Sequence, residues 1–153
     1  MSKKFLVIGN PIEHSLSPKL HNYWIKKNNL NALYDKKLLE HGKIKQLISN
    51  VREEKIHGLN VTVPFKKMVI PFLDILSDEA KNSQSVNTIY KDKGKIIGDN
   101  TDIEGFKTAL ETTNQVIKNK KALILGAGGV VPSIIVALKK MQISKIYLSN
   151  RTE

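Results

Sequence analysis

The chain has 153 residues, of which 41% are hydrophobic and 25% charged, and this composition predicts a soluble globular protein with one domain, or one domain and part of a second. No apolar run approaches the roughly 20 residues that span a bilayer, and the apolar stretch near Met1 is too short for a secretion signal. Because the chain has no cysteine, we expect no disulfide framework, no thiolate metal site and a cytoplasmic location.

The formal net charge of +11 would attract nucleic acid, anionic membranes or small acidic ligands. Only Arg52 and Arg151 are arginines, and the lysines are scattered along the chain without a basic block. We therefore rank nucleic-acid binding last among the functional hypotheses. A nucleic-acid module would bind DNA with a steep dependence on salt. The four histidines show no ligand spacing, so we expect no metal site.

The first elements alternate between strand and helix. Residues 5–9 form an apolar run that predicts a buried strand. Ser17 precedes Pro18, and this pair predicts a helix start in which the serine caps an unpaired N–H. We expect the aromatic side of this helix to pack on the sheet. The stripe on that side consists of Leu20, Tyr23, Trp24 and Lys27.

A second strand is predicted over residues 31–39 and a third over residues 60–63. Between them, apolar residues recur at i, i+3, i+4 and i+7, which predicts an amphipathic helix. These residues are Ile44, Leu47, Ile48 and Val51. The resulting β-α-β-α-β order predicts an α/β domain with a mostly parallel sheet and right-handed crossovers.

Lys66 follows the third strand closely. Pro64 cannot donate to a sheet ladder, so the strand should end there and the chain should turn. Lys66 then lies on a loop or first helical turn beside the carboxyl end of the strand, where catalytic side chains often lie. On composition alone, however, Lys66 is one of many lysines in a lysine-rich chain, and a solvated surface charge is the expected role of any one of them.

The next segment predicts a short helix over residues 68–76 and another that begins at Ser77 as its capping residue. Residues 86–90 and 95–98 flank a glycine-containing turn, which predicts a β-hairpin.

Thr101 and Glu104 have the spacing of a capping box, which predicts the start of a helix. We place the domain boundary in this region. We expect residues 1–101 to form a first domain, residues 102–120 a linking helix and linker, and residues 121–153 part of a Rossmann-type domain.

Residues 122–129 run from an apolar strand into a glycine-rich turn and then a helix, which predicts a pyrophosphate site at the helix N-terminus. Val131 replaces the third glycine of the usual pattern and calls for looser helix packing. The next strand, residues 145–149, is followed by Asn150 and Arg151 instead of the acidic residue of an NAD site, which favours NADP. A βαβ turn without ligand is the alternative.

Six blocks of this sequence resemble shikimate dehydrogenase in order and spacing, and together they cover the whole chain. They are Ser-Leu-Ser-Pro at 15–18, Asn-Val-Thr-Val-Pro-Phe-Lys at 60–66, Val-Asn-Thr at 86–88, Gly-Asp-Asn-Thr-Asp at 98–102, Gly-Ala-Gly-Gly at 126–129 and Asn-Arg-Thr at 150–152. The chain is therefore similar to the N-terminal portion of that family.

The resemblance implies reversible, NADP-dependent reduction of 3-dehydroshikimate to shikimate, on the route to aromatic amino acids. It implies that Lys66 and Asp102 form the catalytic pair. Substrate would be held by Ser15, Ser17, Thr62 and Asn87, together with Asp102. NADP would be held by Gly126, Ala127, Gly128, Gly129, Val130, Asn150, Arg151 and Thr152, with Asp78 near the nicotinamide end.

The implied pair suits the chemistry. Hydride reduction of a ketone leaves an alkoxide, and a nearby ammonium group can stabilise that charge and donate the proton. In the oxidative direction the lysine must accept a proton. Simpler roles stay open, because Ser17 could only cap its helix, and Thr101 and Asp102 could serve only a helix N-terminus.

Members of the family continue well beyond the Asn-Arg-Thr block, so the resemblance implies that this chain corresponds to a substrate domain and about one βαβ unit of the cofactor domain. We expect such a half sheet to expose apolar edges and faces. Two hypotheses follow. The chain is an NADP-dependent enzyme, or it is a catalytically silent shikimate-binding fragment. The resemblance leaves open whether it forms a homodimer.

Overall fold

The computed structural model describes residues 2–151, which form two sheets and five α-helices. The first sheet contains β1 (Lys3–Gly9), β2 (Ala32–Leu38), β3 (Gly58–Val61), β4 (Ile75–Leu76), β5 (Thr88–Asp92) and β6 (Lys95–Asp99), and the second contains β7 (Lys121–Leu125) and β8 (Lys145–Ser149). The helices are α1 (Ser17–Lys27), α2 (Ile44–Arg52), α3 (Asp78–Ser83), α4 (Asp102–Glu111) and α5 (Val131–Lys140).

The six strands of the first sheet lie in the order β2-β1-β3-β5-β6-β4. Strand β1, second from one edge, pairs in parallel with β2 on one side and β3 on the other. The connection from β1 to β2 runs in one direction across the sheet, and the connection from β2 to β3 runs in the opposite direction. Because both crossovers have the same hand, α1 and α2 lie on opposite faces of the sheet. The predicted α/β fold with a mostly parallel sheet is confirmed, although β3 begins and ends two residues earlier than predicted.

The face under α2 carries the main hydrophobic core. The four apolar residues predicted for this helix are all buried. They pack on Leu6 and Ile8 of β1 and on Leu59 and Val61 of β3. The strict helical spacing therefore predicted the helix and its buried side correctly. Burial of each aliphatic side chain stabilises the fold by roughly 1.5 to 3 kcal/mol.

The predicted orientation of α1 is wrong. Leu20, Tyr23 and Trp24 are 48%, 60% and 46% exposed, and Ile25 packs on the sheet instead. The amide of Asn22 explains this rotation, because its Nδ2 donates to the Tyr34 carbonyl at 2.7 Å and its Oδ1 accepts from the Tyr34 N–H at 3.0 Å. Tyr34 lies on β2, an edge strand whose outward backbone groups would otherwise need water.

The predicted helix over residues 68–76 is also wrong. The structure has a run of turns, a 3-10 helix over Ile70–Phe72, and then β4, which pairs in parallel with β6. Pro71 removes a backbone donor and disfavours helix in the residue before it. The predicted cap at Ser77 is confirmed, because its Oγ accepts a hydrogen bond from the Ala80 N–H at 3.1 Å.

The predicted hairpin is present as β5 and β6, with the first strand beginning at Thr88 and not at residue 86. Lys93 and Gly94 form its turn with φ values of 46° and 78°, the left-handed pair that a two-residue hairpin requires. β5 runs antiparallel to β3. The beginning of β5 and the ends of β3 and β6 therefore lie at one edge of the sheet.

The second sheet is one βαβ unit, in which β7 and β8 pair in parallel and α5 connects them. Residues of α4 and α5 together line an apolar pocket. Leu123, Leu125 and Tyr147 stay exposed on the outer side of this sheet, as expected for a half sheet. Within residues 2–151 no helix is both long and apolar enough to cross a membrane.

The contact between Arg52 and Asp74 predicts a dependence of stability on pH. Arg52 donates two hydrogen bonds of 2.8 and 3.0 Å to Asp74, and this guanidinium lowers the pKa of Asp74 to about 2. A lowered carboxyl pKa stabilises the fold above the unfolded value near 4 and loses that effect as the pH falls toward 2. We expect Asp74→Asn to lower the melting temperature at pH 7, and we expect this difference to shrink progressively as the pH falls from about 4 to about 2. A difference that is constant from pH 7 to pH 2.5 would contradict the prediction.

Candidate active site

The residues predicted for substrate and catalysis come together at one edge of the first sheet. Ser15 and Ser17 follow β1, Thr62 and Lys66 follow β3, and the remaining two residues, Asn87 and Asp102, come directly before β5 and shortly after β6. The edge is formed by the carboxyl ends of the parallel strands, which is where α/β sheets bind their ligands.

The loop that carries Lys66 is anchored from below. The side chains of Phe65 and Val69 are fully buried, and the Phe65 ring meets His41 edge to face at 5.2 Å. The Lys66 carbonyl accepts a hydrogen bond from the Val86 N–H at 2.9 Å. Lys66 is therefore on a loop, as predicted, and the loop is held by the core and by the segment that enters β5.

Lys66 and Asp102 form an ion pair. Lys66 Nζ lies 2.6 Å from Asp102 Oδ2, and the two side chains keep 12% and 24% of their exposure. Asp102 is the first residue of α4, where its carboxylate also faces the positive end of the helix dipole. The reading of Lys66 as a solvated surface lysine does not fit this placement.

The amide of Asn87 holds the other carboxylate oxygen. Its Nδ2 donates to Asp102 Oδ1 at 2.8 Å, and its Oδ1 accepts from the Thr101 N–H at 3.0 Å. The backbone donor at Thr101 determines which way round the amide lies. Asn87 thus positions the carboxylate of the pair.

The predicted capping box at the start of α4 is wrong. The Thr101 hydroxyl bonds the Asn87 amide at 3.0 Å, and Glu104 pairs with Lys107 at 3.0 Å. The Asn87 amide is 9% exposed, and buried polar groups are generally hydrogen-bonded, so the Thr101 hydroxyl bonds this amide and does not cap the helix. The N–H of Asp102 instead donates to Oδ1 of Asn100 at 3.0 Å.

A row of polar side chains leads across the sheet to Asn87. The Tyr34 hydroxyl donates to Asn60 Oδ1 at 2.7 Å, and Asn60 Nδ2 donates to Thr88 Oγ1 at 3.2 Å. Thr88 Oγ1 lies 3.0 Å from Asn87 Oδ1. These residues were not predicted for the site. The available sign is Asn60, a polar residue between Leu59 and Val61 on a buried strand.

Ser17 lies at the other end of this row. Burial raises the pKa of the Tyr34 phenol, and a hydrogen bond with the Ser17 side chain acts in the opposite direction. The predicted cap at Ser17 is wrong, because Ser17 is already helical and its N–H donates to Ser15 Oγ at 3.3 Å. Both hydroxyl groups are half-buried at the beginning of α1.

Thr62 packs closely on the end of β1. A Cβ added at Gly9 would lie 2.6 Å from Thr62 Cγ2 and 3.2 Å from the Val63 carbonyl oxygen. The Thr62 N–H donates to the Ile8 carbonyl at 2.9 Å, which fixes the backbone as well. Glycine at position 9 therefore lets Thr62 sit directly over the strand end.

The predicted glycine turn lies between β7 and α5. Gly126 has a φ of 97°, which side chains rarely adopt, and Gly128, Gly129 and Val130 are exposed. The turn and the first turn of α5 line a cavity of about 430 Å³, together with Lys67 and Lys139. Exposed turn residues at a helix start with lysines beside them fit the phosphate groups of a dinucleotide.

The other residues predicted to bind the cofactor lie in several places. Ala127 lines the same cavity, and Asn150 and Arg151 follow β8 as exposed residues. Thr152 lies outside the described residues. Asp78 is exposed at the start of α3, where its carboxylate lies 3.5 Å from the ammonium group of Lys81. The described chain, residues 2–151, contains no group of three acidic or histidine side chains suited to a metal ion.

Comparison with known proteins agrees with this arrangement. Residues 7–89 match the family model of the shikimate dehydrogenase substrate binding domain. The chain thus has the class of fold and site found in α/β oxidoreductases. It belongs to the shikimate dehydrogenase family.

Relatives and solved structures extend beyond the matched domain. The chain is 76% identical to shikimate dehydrogenase (NADP(+)) of Pelagibacter ubique, over 100% of this chain and 58% of the relative, and 41% identical to that of Clostridium beijerinckii, over 95% and 54%. The structure of the Aquifex aeolicus shikimate dehydrogenase matches with a TM-score of 0.92 and 40% identity, over 99% of this chain and 56% of that one. The Thermus thermophilus enzyme in complex with NADP(H) and shikimate matches with a TM-score of 0.88 and 33% identity, over 98% and 56%.

The chain therefore spans little more than half the length of the relatives it matches. The resemblance to the N-terminal portion of the family is confirmed. The roles of the individual site residues and the domain limits at 101 and 120 stay predictions.

The close approach at Gly9 yields a prediction about the site. Gly9→Ala should push Thr62 and the Val63 carbonyl away and lower the free energy of unfolding by about 1 to 3 kcal/mol. The matched control is Gly105→Ala in α4, where an added Cβ meets nothing within 4 Å and should stabilise the helix by roughly 0.5 to 1 kcal/mol. Urea unfolding of the three proteins tests this. Equal effects of the two substitutions would contradict the packing of Thr62 on Gly9.

Proposed function

We propose that the chain carries the substrate site and the first part of the NADP site of a shikimate dehydrogenase, which reversibly reduces 3-dehydroshikimate to shikimate. The observation that carries this is the 2.6 Å ion pair of Lys66 and Asp102 at the sheet edge. The family membership supports the substrate class. The names of the relatives support NADP as the cofactor.

Lys66 is the proton donor to the new alkoxide in the reductive direction and the proton acceptor in the oxidative direction. Its ammonium group stabilises the negative charge that develops on the carbonyl oxygen. NADPH, when bound, supplies the hydride. Asp102 orients Lys66 through their hydrogen bond of 2.6 Å and accepts a hydrogen bond from a ring hydroxyl.

The substrate is held on both sides of this pair. Ser15 and Ser17 bind its carboxylate with their hydroxyl groups, beside the N-terminus of α1, where an anion is favoured. Thr62 and Asn87 bind the ring hydroxyls. Asn87 already uses its amide on Thr101 and Asp102, so it shares or exchanges a hydrogen bond when the substrate enters.

The cofactor is held at the turn between β7 and α5. Residues Gly126–Val130 bind the pyrophosphate, and Asn150, Arg151 and Thr152 bind the ribose 2′-phosphate. Asp78 contributes at the nicotinamide end. The proposed partners are therefore small molecules, and the proposed location is the cytoplasm. A homodimer stays a prediction, which the mass of the protein in solution tests.

A catalytically silent shikimate-binding protein is the second candidate. It is favoured by the exposed apolar residues Leu123, Leu125 and Leu148 on the small sheet, which are surfaces that further strands or helices normally cover. Binding of shikimate needs only the first sheet and its loops. Hydride transfer needs both sites.

Two measurements separate the candidates. Absorbance of reduced nicotinamide is followed with shikimate and NADP, and shikimate binding is measured by calorimetry on the same protein. NADPH formation supports the enzyme, and binding without NADPH formation supports the silent protein. Absence of both would contradict the proposed function.

Lys66→Ala tests the role of the lysine. We expect turnover to fall by about 10² to 10⁴, because the proton donor is lost, while shikimate binding is largely retained. If the parent protein does not turn over, single-turnover NADPH formation at high protein concentration is the readout. Lys45→Ala, an exposed lysine on the outer side of α2, is the matched control. An unchanged rate in Lys66→Ala, or loss of its folding by circular dichroism, would refute the assignment.

Arg151→Ala tests the choice of cofactor. Loss of a charge-assisted hydrogen bond to the 2′-phosphate should weaken NADP binding by about 10- to 100-fold and leave NAD binding within roughly twofold. Calorimetric titration with both dinucleotides measures the ratio. Equal losses for NADP and NAD would show that Arg151 does not read the 2′-phosphate.

A further inference from the structure

A buried amide connects the two sheets of the molecule. Asn100 is 2% exposed and lies between β6 and α4. Its Nδ2 lies 2.9 Å from the Oγ of Ser133, which is fully buried in the first turn of α5. This contact crosses from the substrate side of the molecule to the helix that follows the glycine turn.

The same amide also contacts the substrate side. Nδ2 lies 2.8 Å from the Ser85 carbonyl oxygen and 3.0 Å from Ser83 Oγ, and Oδ1 accepts from the N–H of Asp102 at 3.0 Å. The N–H of Asp102 can only donate, so it fixes which end of the amide faces α4. The two Nδ2 hydrogens then serve three acceptors, one of which belongs to α5.

The contact differs from the other links between the two sheets. Lys140 and Glu79 form an ion pair of 2.7 Å, but both side chains are more than a third exposed, and such pairs contribute little. Residues of α4 and α5 line a common apolar pocket, and apolar contacts are not directional. The amide is the buried, directional contact among these links.

We propose that Asn100 and Ser133 act as positioning residues, forming a joint that sets the glycine turn relative to Asp102. Asn100 holds the backbone of Asp102 with one end and the first turn of α5 with the other. The joint thereby fixes the distance between the catalytic carboxylate and the bound cofactor. Its role in catalysis rests on the proposed function, whereas its role in orienting the two sheets does not.

The orientation can be measured without any ligand. The chain has no cysteine, so Lys26→Cys on α1 and Lys121→Cys on β7 accept one nitroxide label each, and pulsed electron paramagnetic resonance gives the distance distribution between them. We expect Ser133→Ala to shift or widen this distribution. Ser83→Ala is the matched control, because it removes another buried hydroxyl from the same amide without touching α5.

A distribution in Ser133→Ala that superimposes on that of the parent protein would overturn the joint. So would equal changes in Ser133→Ala and Ser83→Ala, because the effect would then reflect general loosening of the buried cluster. Asn100→Ala should reproduce the effect of Ser133→Ala. If Asn100→Ala fails to fold, the comparison of the two serine variants still decides.

The catalytic role is measured as linkage between the two ligands. Shikimate affinity is determined by calorimetry with and without saturating NADP, and the ratio of the two dissociation constants is the coupling factor. We expect Ser133→Ala to reduce this factor by about fivefold, the effect of one ordinary hydrogen bond, while each ligand alone binds within roughly twofold of the parent affinity. A coupling factor unchanged in Ser133→Ala would overturn this role. A parent protein that binds neither ligand would overturn the proposed function and this role together, while the distance measurement would still decide on the joint.

Discussion

A largely buried ion pair persists only where neighbouring groups replace the water that each ion has lost. Lys66 and Asp102 keep 12% and 24% of their side-chain exposure, and their neighbours meet this requirement. Asn87 donates to the carboxylate oxygen that Lys66 does not use. Asn100 accepts from the N–H of Asp102 and so fixes its backbone. The position of the pair is therefore determined by two asparagines that come from the loops at the ends of β5 and β6.

The two faces of the first sheet have different roles. The face under α2 is apolar, and its core contains residues such as Ile8, Val51 and Ile89 that are fully buried. The face under α1 carries the polar row from Tyr34 through Asn60 to Thr88. Buried polar rows are stable only when every member is bonded. The apolar face therefore holds the strands together, and the polar face determines where the side chains of the site point.

Patterns within one element predicted the structure well. The spacing of α2, the turn of the β5–β6 hairpin and the bounds of β8 are all found as predicted. These features depend on neighbours in the sequence, so the local pattern contains the information.

Features that depend on contacts between residues distant in the sequence were not predicted from local patterns. The stripe of α1 faces outward because Asn22 bonds the open edge of β2, and the apolar period of a helix does not show which side another strand will bond. In the same way, the predicted capping box does not form because the Thr101 hydroxyl bonds the amide of Asn87, which is 14 residues away in the chain. The pairing of Lys66 with Asp102 followed from the family resemblance, since the residues alone favoured a role for Asp102 at a helix N-terminus.

The two sheets are joined by contacts of two kinds, and the kinds do different things. The contact between α4 and α5 favours association where apolar side chains meet, but sliding one apolar surface over another changes the energy only gradually. The amide of Asn100 contacts Ser133 at 2.9 Å, and a displacement of about 1 Å would leave a buried polar group unpaired, which costs roughly 1 to 3 kcal/mol. Hydrogen bonding inside the interface thus selects one orientation among those that hydrophobic contact would allow. The proposed hydride-transfer site is divided between the two sheets and needs this selection, because a misplacement of about 1 Å can lower the rate by about 10²-fold.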